Sequence, residues 1–209
     1  MSGGRDNDTG RIEAFSDGVF AIAITLLVIE IGVPHVEGTG TPLFGALVEQ
    51  WPSYLAYVIS FLQIGVIWAN HHNRFRFIAR SDHVLLFLNI LFLMCVAFIP
   101  FPTAVLADYL QGAERATAGV LYAGVLALTA ILFTLLWLYA ATNYRLVDRN
   151  LDPFLLRSMT RRYVAGTVAY LITFLLAFVN VTVSLALIVI LALLFVLPEP
   201  GEGTKPARG

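Results

Sequence analysis

The sequence predicts an all-α integral membrane protein with six transmembrane helices per subunit. Three observations carry this fold class: too few charges for a soluble globule, apolar runs of membrane-spanning length, and basic residues gathered on one side of those runs. Of the 209 residues, 58% are hydrophobic and 13% charged, and the mean hydropathy is +0.80. Soluble domains carry about 25% charged residues, so half that share leaves too little polar surface to cover a globule of this size. Composition therefore argues against a soluble enzyme and against a disordered chain. A net charge of −1 provides no basic surface for nucleic acid, whose phosphates require one. The single cysteine, Cys95, lies in an apolar run, so no disulfide within the chain contributes.

Each span follows from the roughly 20 apolar residues needed to cross about 30 Å of hydrocarbon. Residues 11–31, 44–69, 84–106 and 116–140 supply the first four. A last apolar stretch runs over 163–197; as one helix it reaches about 52 Å, too far for a single crossing. Asn180, flanked by apolar residues, is the natural hairpin tip and divides it into two short spans. With both termini cytoplasmic, twelve of the 13 basic residues lie inside: Arg5, Arg11, Arg74, Arg76, Arg80, Arg145, Arg149, Arg157, Arg161, Arg162, Lys205 and Arg208. Only Arg115 lies outside, as the positive-inside rule expects of the whole set. A five-span chain with an external C-terminus moves only Lys205 and Arg208, and is the competing count. The Gly- and Pro-rich ends, residues 1–10 and 198–209, are expected to be disordered tails around one transmembrane domain over 11–197. Acidic residues precede the first apolar run, which is also too long for a cleavable signal peptide. On the fourth span Gly119, Ala123 and Ala127 form a small-residue stripe, a close-packing face within or between subunits.

Polar groups inside hydrocarbon are costly and therefore informative. Ser16 and Asp17 lie about one and a half turns into the first span. Glu13 and Asp17 share one helical face, where like charges repel. Arg11, six positions before Asp17, is turned away from it, so Asp17 needs a donor on another helix. Span counting puts Trp68, His71 and His72 at the cytoplasmic end of the second span, and Asn89 about 8 Å into the third from that side. These groups share one depth, which predicts a polar network joining the first three helices. Read alone, His71 and His72 also fit interfacial residues at a helix end. Adjacent histidines point about 100° apart, do not converge on one ion, and have no Cys or carboxylate set to complete a metal site. No third group orients a base for catalysis.

Steps of three and four from Phe15 place Phe15, Gly18, Ile22, Thr25 and Ile29 on one stripe of the first span, with Leu26 beside Thr25. Apolar stripes on membrane helices usually face lipid or neighbours. Around a symmetric axis, rings of Ile22, Leu26 and Ile29 form a hydrophobic constriction that gates by dewetting. Thr25 then adds a hydroxyl ring, and Glu30 an acidic ring near the outer mouth.

The segment Arg11-x-x-x-Phe15-Ser16-Asp17 resembles the RxxxFSD signature of the transmembrane protein 175 family, the endosomal and lysosomal potassium channel and its bacterial homologues. The likeness extends to Trp68-x-x-His71-His72, to Asn89, to Pro100-Phe101-Pro102-Thr103 and to the six-span layout, essentially residues 11–197. What the resemblance implies is a single six-span unit of the bacterial kind, multi-pass in the cell (inner) membrane. It implies a homotetramer in the lipid bilayer whose first helices line a central pore, with potassium as the permeant ion and no cofactor or metal. It further implies Ile22 as the constriction, Thr25 as the hydroxyl linked to potassium preference, and Leu26 and Ile29 as the pore-facing positions above. Arg11, Phe15, Ser16, Asp17, Trp68, His71 or His72, and Asn89 are the group that braces the pore helix from behind.

One segment is a decoy. Thr167-Val168-Ala169-Tyr170-Leu171 faintly resembles the TVGYG filter of ordinary potassium channels, but Ala169 and Leu171 replace the glycines that let successive carbonyls point inward. Without a carbonyl filter, potassium preference must come from desolvation at a side-chain constriction. Passive conduction is the expected function. The alternative is a secondary transporter of a small cation or solute, for which Pro100 and Pro102 supply a helix break but no inverted repeat is evident. An integral-membrane enzyme using His71, His72 and Asp17 is the third reading.

Overall fold

The computed structural model describes residues 6–34 and 42–196, and over them the chain is helical. The elements are α1 (Asp6–Ile29), α2 (Leu43–Glu49), α3 (Trp51–Phe75), α4 (His83–Phe98), α5 (Pro100–Tyr109), α6 (Arg115–Ala141), α7 (Pro153–Ala177) and α8 (Val181–Val196). Of the expected tails, residues 1–5 and 198–209 lie outside the described residues; Asp6 to Gly10 is helical and opens α1. Among the described residues, four segments are long and apolar enough to cross a membrane: Thr9–Ile29, Trp51–Phe75, His83–Tyr109 and Arg115–Tyr144. The α7–α8 hairpin turns at Asn180, whose carboxamide oxygen accepts from the Val183 amide (3.2 Å). Helix α7 starts at Pro153, ten residues ahead of the apolar stretch, so Arg157, Arg161 and Arg162 fall inside it. With 16 residues, α8 is about 24 Å long, short for a full crossing.

Prolines set two of the boundaries. The apolar run 44–69 is divided at Gln50 into α2 and α3, and Pro52 occupies the first turn of α3, where its missing N–H costs nothing. The third span bends at Ile99 because Pro100 has no amide to donate. The Val96 carbonyl instead accepts from Ile99 N–H (3.1 Å), and regular bonding resumes from Thr103 N–H to the Ile99 carbonyl (3.2 Å).

Helix α6 is the centre of the bundle, packed against α4, α5, α7 and α8, while α1 packs on α3, α4 and α5. Tyr122, Leu136 and Trp137 of α6 are fully buried. The small-residue stripe of α6 packs within the subunit, with Gly119, Ala123 and Ala127 all buried. A Cβ built on Gly119 would lie 2.5 Å from a Val181 methyl of α8. At the opposite end of α6, the α3–α4 and α6–α7 connections are hydrogen-bonded to each other. Ala79 and Arg80 amides donate to the Leu146 carbonyl (2.9 and 3.1 Å), and the Arg80 guanidinium donates to the Tyr144 carbonyl (2.8 Å). These two connections and the start of α1 therefore share one end of the molecule.

Gly119→Ala forces a β-branched neighbour to move and should cost about 1–3 kcal/mol. The check is thermal unfolding in detergent, with Gly119→Ala/Val181→Ala expected to recover part of the loss. An unchanged midpoint for Gly119→Ala would show that α8 shifts freely.

Candidate pore helix and its polar anchor

Helix α1 has two faces. Ile12, Ser16, Phe20, Ala23 and Leu27, spaced by four, four, three and four, are all buried against α3 and α4. Centred about 140° around the helix, Phe15, Gly18, Ile22, Thr25 and Ile29 are all exposed, Ile22 at 61% and Ile29 at 70%. Leu26 (40%) flanks that stripe and Glu30 ends it. The Thr25 hydroxyl donates back to its own helix, 2.9 Å from both the Ala21 and Ile22 carbonyls. Its proton is thus committed inward and its oxygen lone pairs remain for whatever the open face meets.

Three polar contacts join the buried side of α1 to its neighbours. Because α1 and α3 are antiparallel, the pair Glu13/Asp17 meets the pair His72/Trp68 in register. His72 Nδ1 lies 2.7 Å from Glu13 Oε1, and Trp68 Nε1–H donates to Asp17 Oδ1 (2.8 Å). Trp68 and His72 stack at 5.9 Å between centroids. Each carboxylate that repels its neighbour on α1 therefore has its own partner on α3. Deeper in the packing, Asn89 Nδ2 donates to Ser16 Oγ (3.0 Å), and Ser16 donates to the Ile12 carbonyl (2.8 Å). That leaves Asn89 Oδ1 as an acceptor 3.0 Å from His71 Nε2, so the network places the imidazole proton on Nε2. The His71 ring is boxed by Phe75 (4.6 Å), Phe92 (5.4 Å) and Phe20 (5.5 Å).

The structure thus brings Ser16, Asp17, Trp68, His71, His72 and Asn89 together, and uses both histidines, for different partners. Arg11 and Phe15 do not join them within the chain. Arg11 is exposed with no hydrogen-bond partner among the described residues, and Phe15 is 62% exposed. Five and one positions before Ser16, they are rotated about 140° and 100° from it. Arg74, five residues beyond the expected end of the second span at 69, is drawn into the bundle. Fully buried in the last turn of α3, its guanidinium lies 3.8 Å from the Phe133 ring centroid and donates to the Phe133 carbonyl (2.6 Å).

Sequence reasoning missed two buried clusters in the rest of the bundle. In one, Ser60 Oγ lies 2.8 Å from Thr103 Oγ1 and 2.9 Å from the Tyr122 hydroxyl, tying α3, α5 and α6. In the other, Tyr170 donates to Gln63 Oε1 (2.7 Å) and Gln63 Nε2 donates to the Ile188 carbonyl (2.8 Å), tying α3, α7 and α8. The available signal was the cost of Ser60, Gln63 and Tyr122 in otherwise apolar spans. The filter-like segment is continuous α7 helix, with Thr167 bonded to Thr134 (2.7 Å) and to the Ala130 carbonyl (3.0 Å). Among the described residues no group of three His, Cys, Asp or Glu is placed to hold a metal ion.

The two histidines should respond differently to removal. His71→Ala leaves a void among three phenyl rings and an unmatched Asn89 oxygen, costing about 2–4 kcal/mol. His72→Ala removes a pair whose histidine side chain is 47% exposed, costing at most about 1 kcal/mol. Thermal unfolding of the purified variants checks the order, and equal losses would contradict it.

The chain is similar to known proteins over most of its length. The profile of the endosomal/lysosomal potassium channel TMEM175 family matches residues 11–100. A potassium channel of Chamaesiphon minutus is 47% identical over 194 residues, 91% of this chain and 95% of that protein. A potassium channel of Streptomyces collinus is 47% identical over 191 residues, 90% and 92% of the two chains. The crystal structure of a lysosomal potassium-selective channel TMEM175 homolog from Chamaesiphon minutus superposes with a TM-score of 0.82 at 46% identity, covering 91% of this chain and 97% of that one. The chain therefore belongs to the TMEM175 channel family.

Proposed function

We propose that the chain is one subunit of a homotetrameric, potassium-permeable cation channel in which α1 of each copy lines a central pore. One observation carries this reading: α1 is held by its polar side while its apolar stripe from Phe15 to Ile29 is left open. Two relatives named as potassium channels, matched over nine-tenths or more of both chains, support the choice of ion. Four copies of Ile22, Leu26 and Ile29 make a ring that excludes water when narrow, so an ion passes only as it is desolvated. Thr25, with its proton turned inward, offers oxygen lone pairs beside that ring. Glu30 gathers cations at the outer mouth. Passage is passive, down the electrochemical gradient, with no covalent step.

Ser16, Asp17, Trp68, His71, His72 and Asn89 act as the brace that keeps the stripe aimed at the axis. In the membrane the chain makes six spans, with α7 and α8 as the last two and both termini in the cytoplasm of a bacterial cell. The arginine-rich connections at one end of the bundle support that orientation. The helix break at Pro100 does not favour a transporter, because Ser60, Thr103 and Tyr122 fill it and are themselves buried.

Potassium and sodium flux in proteoliposomes of the purified protein, with the oligomer mass in detergent, tests the proposal. The expected result is a mass of four chains and a dissipative potassium flux larger than the sodium flux. Flux that saturates or couples to protons would contradict a channel. Ile22→Ser should wet the constriction, raising total flux and sodium leak several-fold; unchanged flux would remove Ile22 from the gate.

A further inference from the structure

The distribution of basic residues leaves Arg115 unexplained. It is exposed at the end of the molecule opposite the arginine-rich connections, and its guanidinium has no partner among the described residues. The neighbouring Glu114 carboxylate accepts instead from the Thr117 hydroxyl (3.0 Å). Arg115 stands on the rim of a groove of about 370 Å³ between α3, α6 and α8. All three helices begin there, α3 with Trp51, α6 with Arg115 and α8 with Val181. Three helix N-termini thus add their partial positive charge to that of the guanidinium.

Below the rim the groove is apolar. Leu55 and Ile59 lie four and eight residues beyond Trp51, and Leu185 and Val189 lie four and eight beyond Val181. The two walls therefore descend together for about 12 Å. Trp51, 48% exposed at the top, is the residue type that marks the membrane–water boundary. A cationic rim above an apolar trough matches a phosphate above an acyl chain, and an arginine fork suits the phosphate oxygens better than a point charge does.

We propose that this groove binds an anionic phospholipid of the leaflet at this end, the outer one in the orientation above. Its phosphate sits on Arg115 and one acyl chain lies along Leu55, Ile59, Leu185 and Val189. The assignment needs the chain to span the membrane and does not need α1 to line a pore.

The test uses the whole protein in phosphatidylcholine nanodiscs carrying a phosphatidylglycerol with a photoactivatable group on its acyl chain. Mapping by mass spectrometry should find label on the peptides holding Leu55–Ile59 and Leu185–Val189. Loss of the charge in Arg115→Gln should lower that label about fivefold, Arg115→Lys should keep most of it, and inorganic phosphate should not compete it away. Equal labelling in Arg115→Gln, or by photoactivatable phosphatidylcholine, would overturn the anionic site and leave an unselective apolar trough. Absence of label, with a Thr182→Cys variant cross-linking to a second copy, would make the groove a subunit interface instead.

Discussion

The rotation of α1 about its own axis is the constraint on which the rest depends. Lipid tails are as apolar as leucine, so hydrophobicity alone does not tell an apolar helix which side to turn toward its neighbours. The matched pairs Glu13–His72 and Asp17–Trp68 do, because two contacts four residues apart on antiparallel helices fix both rotation and height. Ser16, held through Asn89 to His71, adds a third point on α4. A slip of one residue turns α1 by about 100° and breaks all three contacts together. The open stripe is therefore a consequence of the anchored one, and the proposed pore face is set by residues that never touch the pore.

The same logic recurs deeper in the bundle. Ser60, Thr103 and Tyr122 close the bend that Pro100 creates, and Gln63 with Tyr170 locks the α7–α8 hairpin onto α3. Each cluster satisfies its donors internally, as it must where water is absent. Arg74 is a different case: a full charge placed in the core, with one guanidinium nitrogen donating to the Phe133 carbonyl and the group lying over the Phe133 ring. The packing behind α1 leaves its Phe15–Ile29 stripe uncovered, as it does the outer faces of α4 and α8, and four copies around an axis would cover that stripe.

Much of this was legible in the sequence because charged and polar residues in hydrocarbon must find partners. Asp17 needed a donor from another helix, and counting residues from the span ends placed Trp68 and Asn89 at its depth. What the count did not give was rotation on the partner helices. That is why the sequence leaves the choice between His71 and His72 open, whereas in the fold each has its own partner. Arg11 and Phe15, which the resemblance groups with the brace, lie on other faces of α1 and do not meet it within the chain. Hydropathy windows also misjudged ends. Arg157, Arg161 and Arg162 hid the first turns of α7, and Gln50 divided a run that reads as continuous. Arg74 lies beyond the expected end of the second span, and burial of its guanidinium depends on an aromatic neighbour far away in sequence, Phe133.

The central claim is that the Phe15–Ile29 stripe faces a shared axis. Cysteines placed one at a time on α1, with Cys95 replaced by serine, test it through oxidative cross-linking between copies in the membrane. Ile22→Cys and Ile29→Cys should form disulfides between subunits, while Val28→Cys, equally free of its own subunit at 54% exposure but turned about 100° from Ile29, should not. Cross-linking at Val28→Cys, or none at either stripe position, would show that α1 presents this face to lipid and not to its copies.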